Sequence, residues 1–171
     1  MRAVWYDRQG AADEVLDCGE LPTPDAGYGE VRVKLEASGV NPSDTYRRRG
    51  PPAMEYPRVI TNSDGAGIID QLGPGVDQNR LGKRVWLYNG QRNGRWMGTA
   101  AEYIALSVDL VTELPDHASF AEGVTLGVPA MTRTAQFSSP DRYKEKPCLS
   151  QAVLVRSAIM RCSWRAGPGR V

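Results

Sequence analysis

Histidine and cysteine are scarce in this sequence of 171 residues: there is one histidine, His117, and there are three cysteines, Cys18, Cys148 and Cys162. The scarcity restricts the available chemistry. A catalytic zinc takes about three nitrogen, sulfur or carboxylate ligands, and no such set is gathered along the chain. A scattered, odd cysteine count argues against a disulfide framework and for a reducing, cytoplasmic setting. His117 lies in a turn, where a lone histidine is expected to be solvated. Long apolar runs are missing as well. None approaches the roughly 20 residues that span a bilayer. The opening Met1-Arg2-Ala3-Val4-Trp5-Tyr6-Asp7-Arg8 becomes charged without an apolar core, so no secretory signal is expected. Charge of one sign is also lacking. Lys and Arg number 21 against 20 Asp and Glu, a net charge of +1, which gives no footing for nucleic acid or a membrane surface.

What is abundant is turn chemistry, with 18 glycines and 12 prolines. Frequent turns favour short strands over long helices, and the length suggests one domain, or one plus a fragment. Ala3 to Tyr6 reads as a first strand, and a connector marked by proline and glycine leads to Glu30. From there Val31, Val33, Leu35 and Ala37 alternate with Arg32, Lys34, Glu36 and Ser38, the period of a half-buried strand. Gly39 breaks it. Asn41-Pro42 then opens a short helix with proline in its first turn, and Pro51-Pro52 ends that helix. Further extended stretches are expected at 56–60, from the small residues after Asp64 up to Gly73, at 82–88, at 98–105 and at 110–114. Ser119 followed by Glu122 has capping-box spacing, so a helix should run from there to about Gly127. The expectation is a mainly β fold with short helices, a partly closed barrel.

The helix opening presents Asn41, Ser43, Asp44, Thr45 and Tyr46 at one sheet edge, where local evidence alone reads Asn41 and Ser43 as caps. The Arg47-Arg48-Arg49 run reads as a solvated helix end.

Six motifs coincide in order: Gly39-Val40-Asn41-Pro42-Ser43-Asp44-Thr45-Tyr46, Asn62-Ser63-Asp64-Gly65-Ala66-Gly67, Gly73-Pro74-Gly75-Val76, Gly82-Lys83-Arg84-Val85-Trp86, Gly98-Thr99-Ala100-Ala101-Glu102-Tyr103 and Gly127-Val128-Pro129-Ala130-Met131-Thr132. Together they resemble the N-terminal catalytic domain of the quinone oxidoreductase, zeta-crystallin-like branch of the medium-chain dehydrogenase/reductase superfamily, over residues 1–132. The resemblance implies a GroES-like barrel, normally followed by a Rossmann domain that holds NADPH. It also implies hydride transfer to a quinone or conjugated carbonyl, and a homodimer in full-length relatives. Zinc-dependent members place a Cys in the motif matching Asn41 to Asp44, and a His-Glu pair near Asn62 to Asp64. Neither Cys nor His stands at either place here, so no metal is expected. By the same resemblance Asn41, Asp44 and Tyr46 line the nicotinamide and acceptor cleft, with Tyr46 a donor to the acceptor oxygen, and Thr132 sits near the nicotinamide ring. Asn41, Tyr46 and Thr132 are thus the expected cofactor contacts. An enoyl or enone reductase of the same branch, and a GroES-like binding module without chemistry, are the competing readings.

The resemblance stops at Thr132. Residues 133–171 carry no Gly-x-Gly-x-x-Gly after a strand, so the pyrophosphate site and the Rossmann domain are expected to be missing. A rereading of the tail joins the last base of each codon to the first two of the next, with third bases left free. Gln151 to Trp164 then yields Gly-Gly-Ala-Gly-Ala-Val-Gly-His-Tyr-Ala-Val-Gln-Leu, which contains that motif. A one-base frameshift after Thr132 is the expectation, leaving a chain that is inactive by itself.

Overall fold

The computed structural model describes residues 1–91, 94–137 and 153–154. In chain order its elements are β1 (Arg2–Tyr6), α1 (Ala12–Val15), β2 (Asp17–Glu20), β3 (Glu30–Val40), α2 (Pro42–Arg49), β4 (Val59–Ile60), β5 (Asp64–Leu72), β6 (Arg84–Leu87), β7 (Tyr103–Ser107), β8 (Val111–Glu113), α3 (Phe120–Thr125), α4 (Val128–Phe137) and β9 (Val153–Leu154). One antiparallel sheet has the order β2-β1-β4. The other follows β7-β3-β5-β6-β8, with β9 beside the end of β3 at Gly39 and Val40. The two sheets meet where Val4 N–H donates to Ala100 O (2.8 Å) and Glu102 N–H to Arg2 O (3.0 Å). They wrap one core that includes Val31, Val33, Ile60, Ile69, Val85, Leu87, Ile104 and Leu106. The expected partly closed barrel is what forms.

β3 shows why the barrel turns inward near its end. Val31 and Val33 are fully buried, while Arg32 between them pairs with Asp70 of β5 at 3.0 Å. The register against β5 then shifts between Leu35 and Ala37. A bulge of this kind re-aims the side chains that follow, so Ala37, Ser38 and Gly39 are all buried and the alternation stops. The polar Ser38 thereby points into the fold.

Several expectations needed correction. α1 and β2 were not anticipated: Asp17-Cys18-Gly19-Glu20 has no apolar alternation, and it is a strand because it pairs with Arg2 to Trp5 of β1. Cys18 is disulfide-bonded, against the expectation of no disulfide. The stretch expected to be strand from residue 98 enters β7 only at Tyr103. Before that it runs alongside residues 60–62, with Thr99 N–H donating to Asn62 O (2.8 Å) and Ala100 N–H to Thr61 O (3.0 Å). The Ser119 cap forms as expected: Ser119 N–H donates to Glu122 Oε2 (2.8 Å) and Glu122 N–H to Ser119 Oγ (3.2 Å). α3 ends at Thr125, however, and α4 continues across Thr132 to Phe137. The reread stretch of the tail, apart from Val153 and Leu154, lies outside the described residues.

Candidate functional site

The head of α2, the start of β5 and the first turn of α4 converge on one buried carboxylate. Asp64 is 0% exposed. Its Oδ2 accepts from Asn41 Nδ2 at 2.8 Å, and both its oxygens accept from Val128 N–H at 3.0 Å. Asp44, also buried, accepts from Asn41 N–H at 2.7 Å through Oδ2 and from the Ser63 hydroxyl at 2.7 Å through Oδ1. That first bond ties the third residue of α2 back to its N-cap, as carboxylates at this position do. Further bonds tie β5 to β3 and to the stretch after Met97. Thr99 Oγ1 donates to Asp64 O (2.7 Å), Ser38 and Thr99 share a hydroxyl bond (2.9 Å), and Asn62 Nδ2 donates to Ser38 Oγ (3.0 Å). Asn62 has φ 71, a left-handed conformation that asparagine tolerates better than most residues.

Burial sets the electrostatics. It pushes the Asp64 carboxyl up to about 6, against the N–H of Val128 and the amide of Asn41, which favour the anion; the nearby Asp44 charge raises it further. Asp44 is raised too, chiefly by burial, with the Asn41 N–H, the Ser63 hydroxyl and Arg47 opposing. Two acids this close, each donated to by amides and hydroxyls, make a polar joint between three elements. Among the described residues, no group of three or more His, Cys, Asp or Glu is placed to hold a metal ion.

The structure separates the residues expected at the site. Asn41 and Asp44 are together and buried. Tyr46 is 66% exposed on the opposite face of α2 from Asp44 and Arg48, which lie four apart on the buried face. Thr132 is exposed on α4. Arg48 departs from the solvated helix end expected for its run: it is 6% exposed and its guanidinium donates to Gly10 O (2.5 Å), while Arg49 is exposed. His117 is exposed, as expected. Asp64 itself was not anticipated as a centre. Its only sequence signal is an acid heading the small-residue run Gly65-Ala66-Gly67. No helix among the described residues is long and apolar enough to cross a membrane.

A model of the alcohol dehydrogenase GroES-like domain matches residues 27–116. The trans-enoyl reductase resD of Aspergillus sclerotiorum is 36% identical over 131 residues, which cover 75% of this chain and 35% of that protein. The quinone oxidoreductase of Mus musculus is 32% identical over 136 residues, covering 77% of this chain and 39% of that protein. The solved structure of mycobacterial Rv1454c complexed with NADPH superposes with a TM-score of 0.65 at 27% identity, over 85% of this chain and 43% of that one. The chain therefore spans less than half the length of each of these three relatives. It belongs to the alcohol dehydrogenase GroES-like domain family, and it is similar to quinone oxidoreductases and trans-enoyl reductases.

Proposed function

We propose that residues 1–132 are the catalytic-domain half of a zinc-independent, NADPH-dependent oxidoreductase that reduces a quinone or similar conjugated carbonyl. The observation that carries this reading is the Asn41–Asp44–Ser63–Asp64 cluster. It occupies the two motifs in which zinc-dependent members place their ligands. Here the same positions carry amide, hydroxyl and carboxylate groups bonded to one another and to Val128 N–H. Such a joint sets the angle between α2 and α4 and leaves carbonyl polarisation to a hydrogen-bond donor.

NADPH, when bound, supplies the hydride. The residues present fit one end of it. Tyr46 and Thr132 are exposed, with no hydrogen bond from either side chain to the rest of the described residues. No described strand-to-helix turn carries the glycine pattern that takes a pyrophosphate. In this reading Tyr46 donates its phenolic proton in a hydrogen bond to the acceptor's oxygen, where negative charge develops. Asn41 and Asp44 hold its helix to the wall of the same cleft, and water provides the protons. Residues 133–171 are read as out of frame, with α4 crossing the boundary. Sequencing the gene past the Thr132 codon tests that point: a Rossmann glycine loop in the shifted frame supports it and its absence refutes it.

A second reading, reduction of an enoyl thioester or enone, is favoured by the 36% identity to a trans-enoyl reductase. Measuring NADPH oxidation by the frame-restored protein with quinones and with enoyl thioesters, side by side, decides between the two acceptors.

A further inference from the structure

A cleft of about 230 Å³ opens between the C-terminal turn of α2, the loop leading to β4, the end of β1 and Arg95. It shares no lining residue with the Asn41–Asp64 cluster. Three features mark it as a built site.

Tyr6 is 2% exposed and lines the cleft, yet its hydroxyl has no hydrogen-bond partner among the described residues, nor is it sealed from the cleft. The ring of Tyr6 is buried while its hydroxyl opens onto the cleft, where it can bond a molecule seated there. Burial raises the Tyr6 phenol, opposed by Arg47, so it remains a donor at neutral pH and above.

Two arginines, Arg47 and Arg95, line the same space. Arg47 makes a single long bond, 3.3 Å to Gln91 Oε1, and Arg95 bonds only the backbone carbonyls of Gly90 and Ala105. Neither forms an ion pair with a carboxylate among the described residues. Burial lowers the Arg95 pKa, with the charge of Glu30 and then Tyr56 opposing. The walls are fixed in place: Gln9 donates its amide to Arg47 O (2.8 Å) and Pro52 O (2.6 Å).

The remaining lining includes apolar Met54 and Val59, and one acid, Glu55. Two arginines and one glutamate leave a single positive charge. A volume of about 230 Å³ lies below the 300–1,000 Å³ usual for drug-sized ligands and suits a molecule of one ring.

We propose that this cleft binds a small aryl monocarboxylate, with the carboxylate on Arg47, Arg95 and the Tyr6 hydroxyl and the ring against Met54 and Val59. Nothing in this depends on hydride transfer, so its failure would leave the oxidoreductase reading untouched.

The test is a titration of the 171-residue chain with benzoate and with benzamide, its neutral counterpart, followed by amide chemical shifts. Benzoate should saturate and shift the amides of Tyr6, Met54 and Val59, while benzamide binds roughly tenfold or more weakly, since charge-assisted bonds to a carboxylate are about twice as strong as neutral ones. Tyr6→Phe and Arg47→Met should each weaken benzoate at least about fivefold with unchanged far-ultraviolet circular dichroism. Glu55→Gln should tighten it, and Arg49→Met, on the exposed part of the helix, should leave it unchanged. Equal binding of benzoate and benzamide, shifts confined to other surfaces, or full benzoate affinity in folded Tyr6→Phe and Arg47→Met would overturn the assignment.

Discussion

Asp64 and Tyr46 show opposite ways in which one residue can matter. Asp64 binds its proton more tightly in the folded chain, where its pKa is about 6, than at its ordinary 3.8. Between those values the folded state holds the extra proton, so stability falls as pH rises, and the penalty is complete above about pH 6. The rise corresponds to a penalty on the order of 3 kcal/mol at neutral pH. Urea denaturation across pH 4 to 7 should show that fall, and Asp64→Asn should remove most of it, leaving Asp44, which shifts in the same direction, and Glu102 and Glu122, which shift the opposite way and act at the acid end. A slope unchanged in Asp64→Asn would contradict this assignment. Tyr46, by contrast, is 66% exposed and adds little to the fold. In a frame-restored protein Tyr46→Phe should lower kcat roughly a hundredfold, the scale of losing one donor to a developing oxyanion, with no change in melting temperature. Tyr46 is a candidate from the sequence because its motif is contiguous. Asp64 could not, because its partners Asn41 and Val128 stand 23 and 64 positions away.

At the scale of elements, the joint between β5 and α4 is the most sensitive point. Gly127 immediately precedes α4, and a Cβ there would collide with the Asp64 carboxylate that accepts from Val128 N–H. Gly127→Ala should therefore detach the first turn of α4. The expected loss is about 1–3 kcal/mol, the range for a strained small-to-large change in a packed site, together with faster hydrogen exchange at the Val128 amide. Unchanged exchange would show that α4 is held elsewhere. The sequence anticipates these elements unevenly for a clear reason. The Ser119–Glu122 cap is local, three residues end to end, and reads directly. The break between α3 and α4 is set by contact with a distant strand and does not. β2 likewise becomes a strand only through its backbone partner β1.

At the scale of the whole molecule, the order of short motifs along residues 1–132 was enough to anticipate the barrel, because each motif marks a turn or a close approach that the GroES-like fold requires. Composition and periodicity reached a mainly β fold with a partly closed barrel, and the resemblance carried by the ordered motifs made it GroES-like. The cleft beside Tyr6 stayed hidden from both, since it is assembled from four separate stretches of chain. Under the proposed function, the molecule is one wall of a hydride-transfer site whose cofactor wall lies in a second domain. NADPH oxidation with a quinone, compared between the 171-residue chain and its frame-restored counterpart, tests that reading most directly. It predicts turnover by the restored protein and none by the 171-residue chain. Turnover by the 171-residue chain, or its absence in a folded restored protein that binds NADPH, would contradict it.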